Sequence, residues 1–437
     1  MVGTGIAGMS AAWLLSRRHT VTVFERDERV GGHANTVDVA GPAGPVAVDT
    51  GFIVYNERNY PNLTALFDHL GVATKASDMS FAASIDDGDL EYAGTSLAGL
   101  FAQPRNIVRP RFWRMLGDIR RFYRDGPSLL REPGGETLSL GQYLDGGGYS
   151  HAFVYNHLLP MAAAIWSTAV ADMRDHPAAA FIRFCSNHGL MQVSGRPQWR
   201  TVDGGSREYV RPLTAPYADR IRLGAKIRTI RRDPRGVTID HESGRTERFD
   251  HVVIATHADQ ALRLLDDPSA QERRLLGSFG YTRNVAVLHS DPALMPKRRR
   301  VWSSWNYLSR RGEDGSSRVA VSYWMNRLQR LDDRLPLFVT LNPHRDPADR
   351  SVVKAFAYDH PSYDLAAADA QRSLWTLQGV RNTWFCGSYF GAGFHEDALQ
   401  AGLAVAEQLG GTRRPWRVAG ESDRIAVGPS PIVEAAA

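Results

Sequence analysis

Three glycines open the chain at the spacing Gly3-x-Gly5-x-x-Gly8, and a carboxylate, Glu25, follows 22 residues after Gly3. Gly3 permits a tight turn from strand to helix. Gly5 lets backbone N–H groups approach a pyrophosphate at the helix N-terminus, and Gly8 lets that helix lie close on a sheet. A carboxylate that ends the next strand accepts hydrogen bonds from adenosine ribose hydroxyls. The chemistry implied is recognition of a dinucleotide. A second glycine pair, Gly31-Gly32, comes just after Arg26-Asp27-Glu28-Arg29-Val30 and before His33. A nicotinamide dinucleotide has no need of that pair; it is typical where a chain passes the pyrophosphate of FAD a second time. His33, His257 and His395 do not stand at metal-ligand spacings with Asp or Glu, so no metal is expected.

The elements that must hold these residues are legible in outline. Gly3 to Ser16 reads as a glycine turn and a helix, with Ile6, Met9, Ala12, Trp13 and Leu15 on a broad apolar side. Thr20 to Glu25 reads as a buried strand. The strand that should precede Gly3 has only Met1 and Val2 to form it, where about five residues are needed. The expectation is that the chain as given is shortened at its start; the alternative is that another segment fills this central sheet position. Ser77 to Trp199 reads as mostly helical. Ile221 to Ile230 reads as a strand, followed by a hairpin that turns near Glu242-Ser243-Gly244. Further strands are expected at Arg283–His289, Val301–Tyr307, Arg318–Met325, Pro336–Leu341 and Trp384–Cys386, and a final helix over Glu396–Leu409. Residues 412–437, rich in Pro, Gly, Ser and Ala, read as a disordered tail.

The order of glycine motif, acid and Arg29-Val30-Gly31-Gly32 resembles the FAD-dependent amine oxidase and phytoene desaturase superfamily, although His33 stands where most members carry Arg. Within it, Gly31 to Leu63 is similar to a bacterial subgroup of FAD/NAD-binding oxidoreductases found beside cyclopropane fatty acid synthases. Three later segments match in order: Ala225 to Ile230, Val252 to Thr256, and Trp384 to Ser388 continued by Gly393 to Gly402. The resemblance implies a non-covalent FAD and a fold of class α/β: a Rossmann-like FAD-binding domain with its first strand apparently cut short, beside an α+β substrate domain. Residues 1–76, 200–265 and 376–411 would form the FAD domain, and 77–199 and 266–375 the substrate domain. FAD would lie against Gly3, Gly5, Ile6, Ala7, Gly8, Glu25, Arg26, Gly31, Gly32, His33, Thr50, Gly51, Phe52, Ile227, Ala255, Gly387, Ser388, His395, Gln400 and Ala401. Two departures bear on the reaction. Many amine oxidases hold a water near flavin N5 with a lysine; the comparable strand here, Arg283 to His289, has none. The acidic residue usual after the late glycine is Ser388.

The substrate half names no catalytic residue. Its strands are aromatic: Trp302, Trp305 and Tyr323 alternate in a way that could line an apolar tunnel, although core packing is an equal reading of any one of them. Residues 104–125 interleave seven arginines with Ile107, Phe112, Trp113, Leu116, Ile119, Phe122 and Tyr123. That pattern gives an apolar face with a basic rim, as in surface-bound membrane helices, or an ordinary amphipathic helix of an Arg-rich chain.

Composition narrows the classes. The 437 residues are 43% hydrophobic and 23% charged, which excludes wholesale disorder. Net charge is only +5, and only four of the 52 basic residues are lysine, a skew that fits codon composition better than nucleic-acid binding. Cys185 and Cys386 are too few for a disulfide scaffold and fit a reducing cytoplasm. No apolar run reaches the ~18 residues of a membrane span. The opening glycine motif leaves no room for a signal peptide. The expectation is a cytoplasmic protein, at most peripheral to the inner membrane face. The resemblance to that bacterial subgroup, with the aromatic strands, implies an enzyme that moves hydride between a C–H bond of a small-molecule or lipid substrate and flavin N5, of desaturase or saturase type, with a modified fatty acyl chain as the substrate named. The alternatives are an amine oxidase and a non-catalytic FAD- or lipid-binding partner of another enzyme.

Overall fold

The computed structural model describes residues 1–166, 170–192, 195–311 and 317–429. A small parallel sheet carries the glycine motif. Its strands are Ile221–Arg222, Val23–Phe24, Val252–Ile254 and Thr383–Phe385. Met1 and Val2 supply the rung between the second and third. Val2 N–H donates to Val253 O at 2.9 Å, Ala255 N–H to Val2 O at 2.8 Å, and Phe24 N–H to Met1 O at 2.9 Å. Two residues therefore occupy the central position by themselves, and the chain turns at Gly3 straight into the first helix, Ile6–Leu15.

All ten residues of that helix are buried, the mark of a helix enclosed on every side. One neighbour is the closing helix, His395–Gly410. The two approach with almost nothing between them: a Cβ on Gly402 would stand 2.3 Å from Ala7 O and 2.5 Å from Ser10 Oγ. Beside the parallel sheet lies a three-stranded antiparallel one, Ile227–Asp233, Gly236–His241 and Thr246–Phe249, with the expected hairpin between its last two strands.

The other large element is a seven-stranded mixed sheet in the order Val352–Ser362, Gly280–His289, Phe338–Leu341, Ser317–Trp324, Trp305–Arg311, Phe81–Ile85 and Leu90–Ala93. Three of these strands were not expected. Phe81–Ile85 and Leu90–Ala93 fall where helix was expected; they form a hairpin through Asp86 and Asp87, both in the left-handed region (φ 49° and 54°), and their small residues Ala82, Ala83 and Ala93 pass for helix formers. Val352–Ser362 is an edge strand, which accommodates Pro361 and the exposed Lys354. The strand expected from Val301 begins at Trp305, after a 3₁₀ turn at Arg299–Val301. Helices Pro110–Asp125, Leu140–Gly146, Leu159–Trp166 and Ala178–Asn187 are the longest of the 77–199 segment among the described residues.

Residues 412–429 are not a loose tail. Arg414 is buried and embraces Glu407 while donating to Asn62 Oδ1 at 2.8 Å. Trp416 stacks on Trp13 at 5.9 Å, and Arg424 pairs with Asp397 at 2.6 Å. Composition alone read this stretch as disordered; the partners that order it, Trp13, Asn62, Asp397 and Glu407, lie outside it. Residues 430–437 lie outside the described residues. Among the described residues, no helix is long and apolar enough to cross a membrane.

The helix–helix contact at Gly402 yields a direct test. Gly402→Ala forces backbone apart and should cost about 1–3 kcal/mol, read as a lower Tm with weaker flavin retention. Gly117→Ala, on an exposed turn of Pro110–Asp125 where a Cβ meets nothing within 4 Å, should be neutral or stabilising by up to ~1 kcal/mol.

Candidate functional site: a dinucleotide cradle closed by an aromatic wall

At the cradle, Gly3 takes φ +98°, and a Cβ there would meet Ala255 O at 2.8 Å. A Cβ on Gly8 would stand 2.1 Å from Gly3 O. Nothing lies within 4 Å of the place where a Gly5 Cβ would be, and no side chain caps the helix that follows. The helix dipole and its first N–H groups therefore face open space, an anion site by construction. The second glycine turn folds over the first. Gly31 N–H donates to Thr4 O at 3.1 Å, and a Cβ on Gly32 would come 3.0 Å from Gly5 Cα. Arg29 holds this turn by donating to Gly32 O at 2.6 Å and Ala34 O at 3.3 Å. Arg26, expected against FAD from the sequence, stands at the exposed rim beside Asp27.

Glu25 ends its strand with its carboxylate turned back onto the turn, accepting from Thr4 N–H at 2.9 Å, from the Thr4 hydroxyl, and from Asp27 N–H at 3.0 Å. Ala225 N–H donates to Glu25 O at 2.8 Å, which lays the segment leading to Ile227 alongside. Ala255 borders Gly3 and Gly8.

A second cluster collects the remaining elements. A Cβ on Gly51 would lie 2.2 Å from His33 O, and Phe52 N–H donates to that oxygen at 2.7 Å. The Phe52 ring lies parallel to His395 with centroids 3.8 Å apart, and His395 Nε2 is 2.8 Å from Tyr209 Oη. His33 stacks on Tyr358 at 4.9 Å and meets His360 edge-on at 5.4 Å. The Tyr358 hydroxyl is tied to Asn35 Nδ2 at 2.8 Å and Thr50 Oγ1 at 2.9 Å. His257 lies parallel to Tyr281 at 4.5 Å.

These imidazoles are neutral at pH 7. Burial lowers His395 to about 3 and His360 to about 4, and burial with the neighbouring histidines and Arg29 holds His33 well below the usual range. Asp49 moves the other way: burial pushes it up to about 6, although it accepts from Thr36, Ser206 and Gln329.

The late segment contributes unevenly. Gly387 and Ser388 form the turn after the last parallel strand, and Ser388 O accepts from Gly391 N at 3.1 Å and Gly393 N at 3.2 Å. Ala401 is buried within the closing helix. Gln400 donates to Glu396 at 3.1 Å and accepts from Arg424 N at 3.2 Å, so it serves the helix and the 412–429 segment.

On the substrate side the three aromatics divide. Trp305 and Tyr323 meet edge-to-face at 5.0 Å, in the apolar cluster that also holds Tyr358. Trp302 lies elsewhere: it donates to Pro296 O at 2.7 Å and packs edge-on to Trp324 and Phe338. Alternation along the sheet puts Trp324 and Tyr323 on opposite faces. Phe394 was not among the site residues expected from the sequence. It lies parallel to Phe184 at 4.6 Å and edge-on to Trp166 at 6.0 Å, one residue from His395. Its signal was its position between Gly393 and His395.

Among the described residues, no lysine contact with these rings is found: Lys75 pairs with Asp203, Lys297 with Asp87, Lys354 lies over Phe356, and Lys226 accepts from Glu242 N through its backbone oxygen. Among the described residues, no group of His, Cys, Asp and Glu could hold a metal ion. Cys386 is fully buried, and burial pushes its thiol up to about 12.

An uncapped helix N-terminus above glycines, an acid at the strand end and a second glycine turn fit the diphosphate and ribose of FAD, and define a dinucleotide-binding flavoprotein of two parts. A family model of flavin-containing amine oxidoreductases matches residues 6–410, and the chain belongs to that family. FAD is accordingly its cofactor, and the protein is a flavin-dependent oxidoreductase. It is 26% identical over 394 residues to AofH of Mycobacterium tuberculosis, a protein named for flavin-containing monoamine oxidase activity, covering 87% of this chain and 79% of that one. Its fold is similar to cyclohexylamine oxidase from Brevibacterium oxydans (TM-score 0.66, 17% identity, 93% of this chain and 98% of that one). It is also similar to a fatty acid isomerase from P. acnes that produces CLA (TM-score 0.65, 15% identity, 92% and 96%).

Two outcomes follow. Glu25→Gln removes a charged acceptor and should weaken FAD binding about ten- to a hundred-fold, read by flavin titration with the far-ultraviolet spectrum unchanged; equal affinity would contradict the assignment. The second concerns pH. A histidine held neutral binds fewer protons folded than unfolded, so its contribution is intact above its unfolded value of 6.5 and is lost as pH falls toward 4. Asp49 opposes this between 3.8 and about 6, and Glu396 and Asp397, which burial also raises, act in the same sense; among the described residues they are three groups against ten lowered histidines. Tm should therefore fall between pH 6.5 and 4, and His157→Gln, away from the cradle and itself lowered to about 4, should make the fall shallower. A Tm that rises on acidification would contradict it.

Proposed function

We propose that this oxidoreductase acts on a long apolar chain, a modified fatty acyl group, in a desaturation or saturation that moves hydride between a substrate C–H bond and flavin N5. When bound, FAD supplies the two-electron chemistry. The chain's own part is to bind, orient and keep water out. The uncapped helix above Gly5 and the Glu25 carboxylate anchor the dinucleotide. The parallel pairs Phe52–His395 and Phe184–Phe394 offer flat apolar faces.

The observation that carries the reading is the chemistry of that wall. Its rings are apolar or neutral, and the two carboxylates in the first turn of the closing helix are engaged, Asp397 by Arg424 and Glu396 by Asn62 and Gln400. An ammonium group arriving beside Phe52 and Phe394 would lose water without either of those carboxylates to replace it, whereas an acyl chain has no charge to desolvate. The likeness of residues 31–63 to proteins found beside cyclopropane fatty acid synthases supports the same substrate. A second reading, amine oxidation, is favoured by the similarity to AofH and by ring faces that attract cations.

Anaerobic mixing of the holoenzyme with lipids and with amines separates the two. Loss of the oxidised flavin absorbance with unsaturated, saturated or cyclopropane acyl lipids, and not with amines, is the expected result. Bleaching by primary or secondary amines alone, with hydrogen peroxide released in air, would replace this reading by the second. A flavin that no lipid or amine reduces, and whose reduced form no unsaturated lipid reoxidises, would make the protein a binding partner.

A further inference from the structure

Helix Pro110–Asp125 turns Phe112, Met115 and Phe122 inward, where Phe112 meets Tyr92 and Phe122 meets Phe153. That packing uses one face only. On the outside, the helix and the two short elements before it, Leu97–Leu100 and Pro104–Val108, leave large apolar side chains in water: Leu97 is 76% exposed, Val108 79%, Ile107 54% and Trp113 50%. They form an ordered surface. Trp113 Nε1 donates to Ile107 O at 2.7 Å, and the Trp113 ring packs on Phe101 at 5.6 Å. An apolar patch kept rigid in water marks a surface made for a partner.

The net charge around it is positive. Arg111 and Arg114 stand exposed on the same helix. Arg105 and Arg109 straddle Asp89 and leave it no free charge to oppose them. The 3₁₀ turn Arg299–Val301 touches Leu97–Leu100 and brings Arg299 and Arg300 to the far side. Asp87 is taken by Lys297, and Asp118 by Arg121. A second copy of this chain would set arginine against arginine, so the charge argues against self-association. It fits a surface of phosphate groups over hydrocarbon. An indole in the plane of the headgroups, with Leu, Ile and Val below it and arginines beside it, is how interfacial helices seat.

We propose that this surface, built by Leu97, Ile107, Val108 and Trp113 with Arg111 and Arg114 at its edge, docks the protein on an anionic lipid bilayer. The assignment rests on exposure and charge and is independent of the substrate reading. Each arginine near such a surface adds about five-fold to binding.

The test is sedimentation of the full-length holoenzyme with vesicles of phosphatidylcholine alone or with added phosphatidylglycerol. Binding to the phosphatidylglycerol vesicles, weakened by salt and absent on phosphatidylcholine alone, is expected. Arg111→Glu with Arg114→Glu, and separately Val108→Asp, should each lower it at least ten-fold with flavin absorbance and Tm unchanged. Quenching of tryptophan fluorescence by brominated lipid should fall in Trp113→Phe. Equal sedimentation of wild type and variants would overturn the proposal. So would no binding to either vesicle, or a concentration-dependent dimer abolished by Val108→Asp, which would make the patch a contact between copies.

Discussion

At the centre of this molecule backbone meets backbone with no side chain between. A Cβ would fall 2.1 Å from a carbonyl at Gly8, 2.3 Å at Gly402 and 2.2 Å at Gly51, and 3.0 Å from Gly5 Cα at Gly32. Such approaches are open only to glycine. They bring the first helix, the closing helix and the two glycine turns around one volume, and the site follows from that. The N-terminal end of Ile6–Leu15 opens onto space next to Gly5, and the N-terminal end of His395–Gly410 stands beside Phe52. Both ends carry partial positive charge, where a cofactor is anionic in its diphosphate and gains charge in its ring on reduction.

The closing helix needs help to stand there. Its first turn holds two buried acids, Glu396 and Asp397, whose burial pushes both carboxyls up. Asn62 and Leu63 N–H donate to Glu396, and Arg424, from the segment after the helix, pairs with Asp397. Unpaired, a buried carboxylate costs several kcal/mol. Residues 412–429 are thus part of the frame that aims the helix. The wall beside it is low in charge because it is buried. Its histidines are neutral because the loss of water outweighs what Asp259 and Asp359 return to His257 and His360.

What the sequence disclosed follows from the range of each signal. The Gly3 turn, Glu25, the Gly31-Gly32 pair and the Glu242-Gly244 hairpin are local, and each sits where its spacing indicates. Packing partners across the fold were less legible. Arg29 stands in the sequence pattern, but the carbonyls of Gly32 and Ala34 that it holds are set by the folded turn. Gln400 serves the closing helix, a choice made by Glu396 and a strand of chain 20 residues further on. Trp302 parts from Trp305 and Tyr323 because the strand begins at Trp305, so the alternation cannot be extended back to 302. Residues 412–429 read as disordered because their partners, Asn62, Asp397 and Glu407, lie outside the segment.

The central claim is that these separated pieces enclose one FAD, held without a covalent bond. Release by denaturation tests it most directly. The flavin freed from the purified protein should be FAD, one per chain, leaving the polypeptide colourless. Flavin that stays attached to the denatured chain, or a folded protein that is colourless and takes up no added FAD, would contradict it.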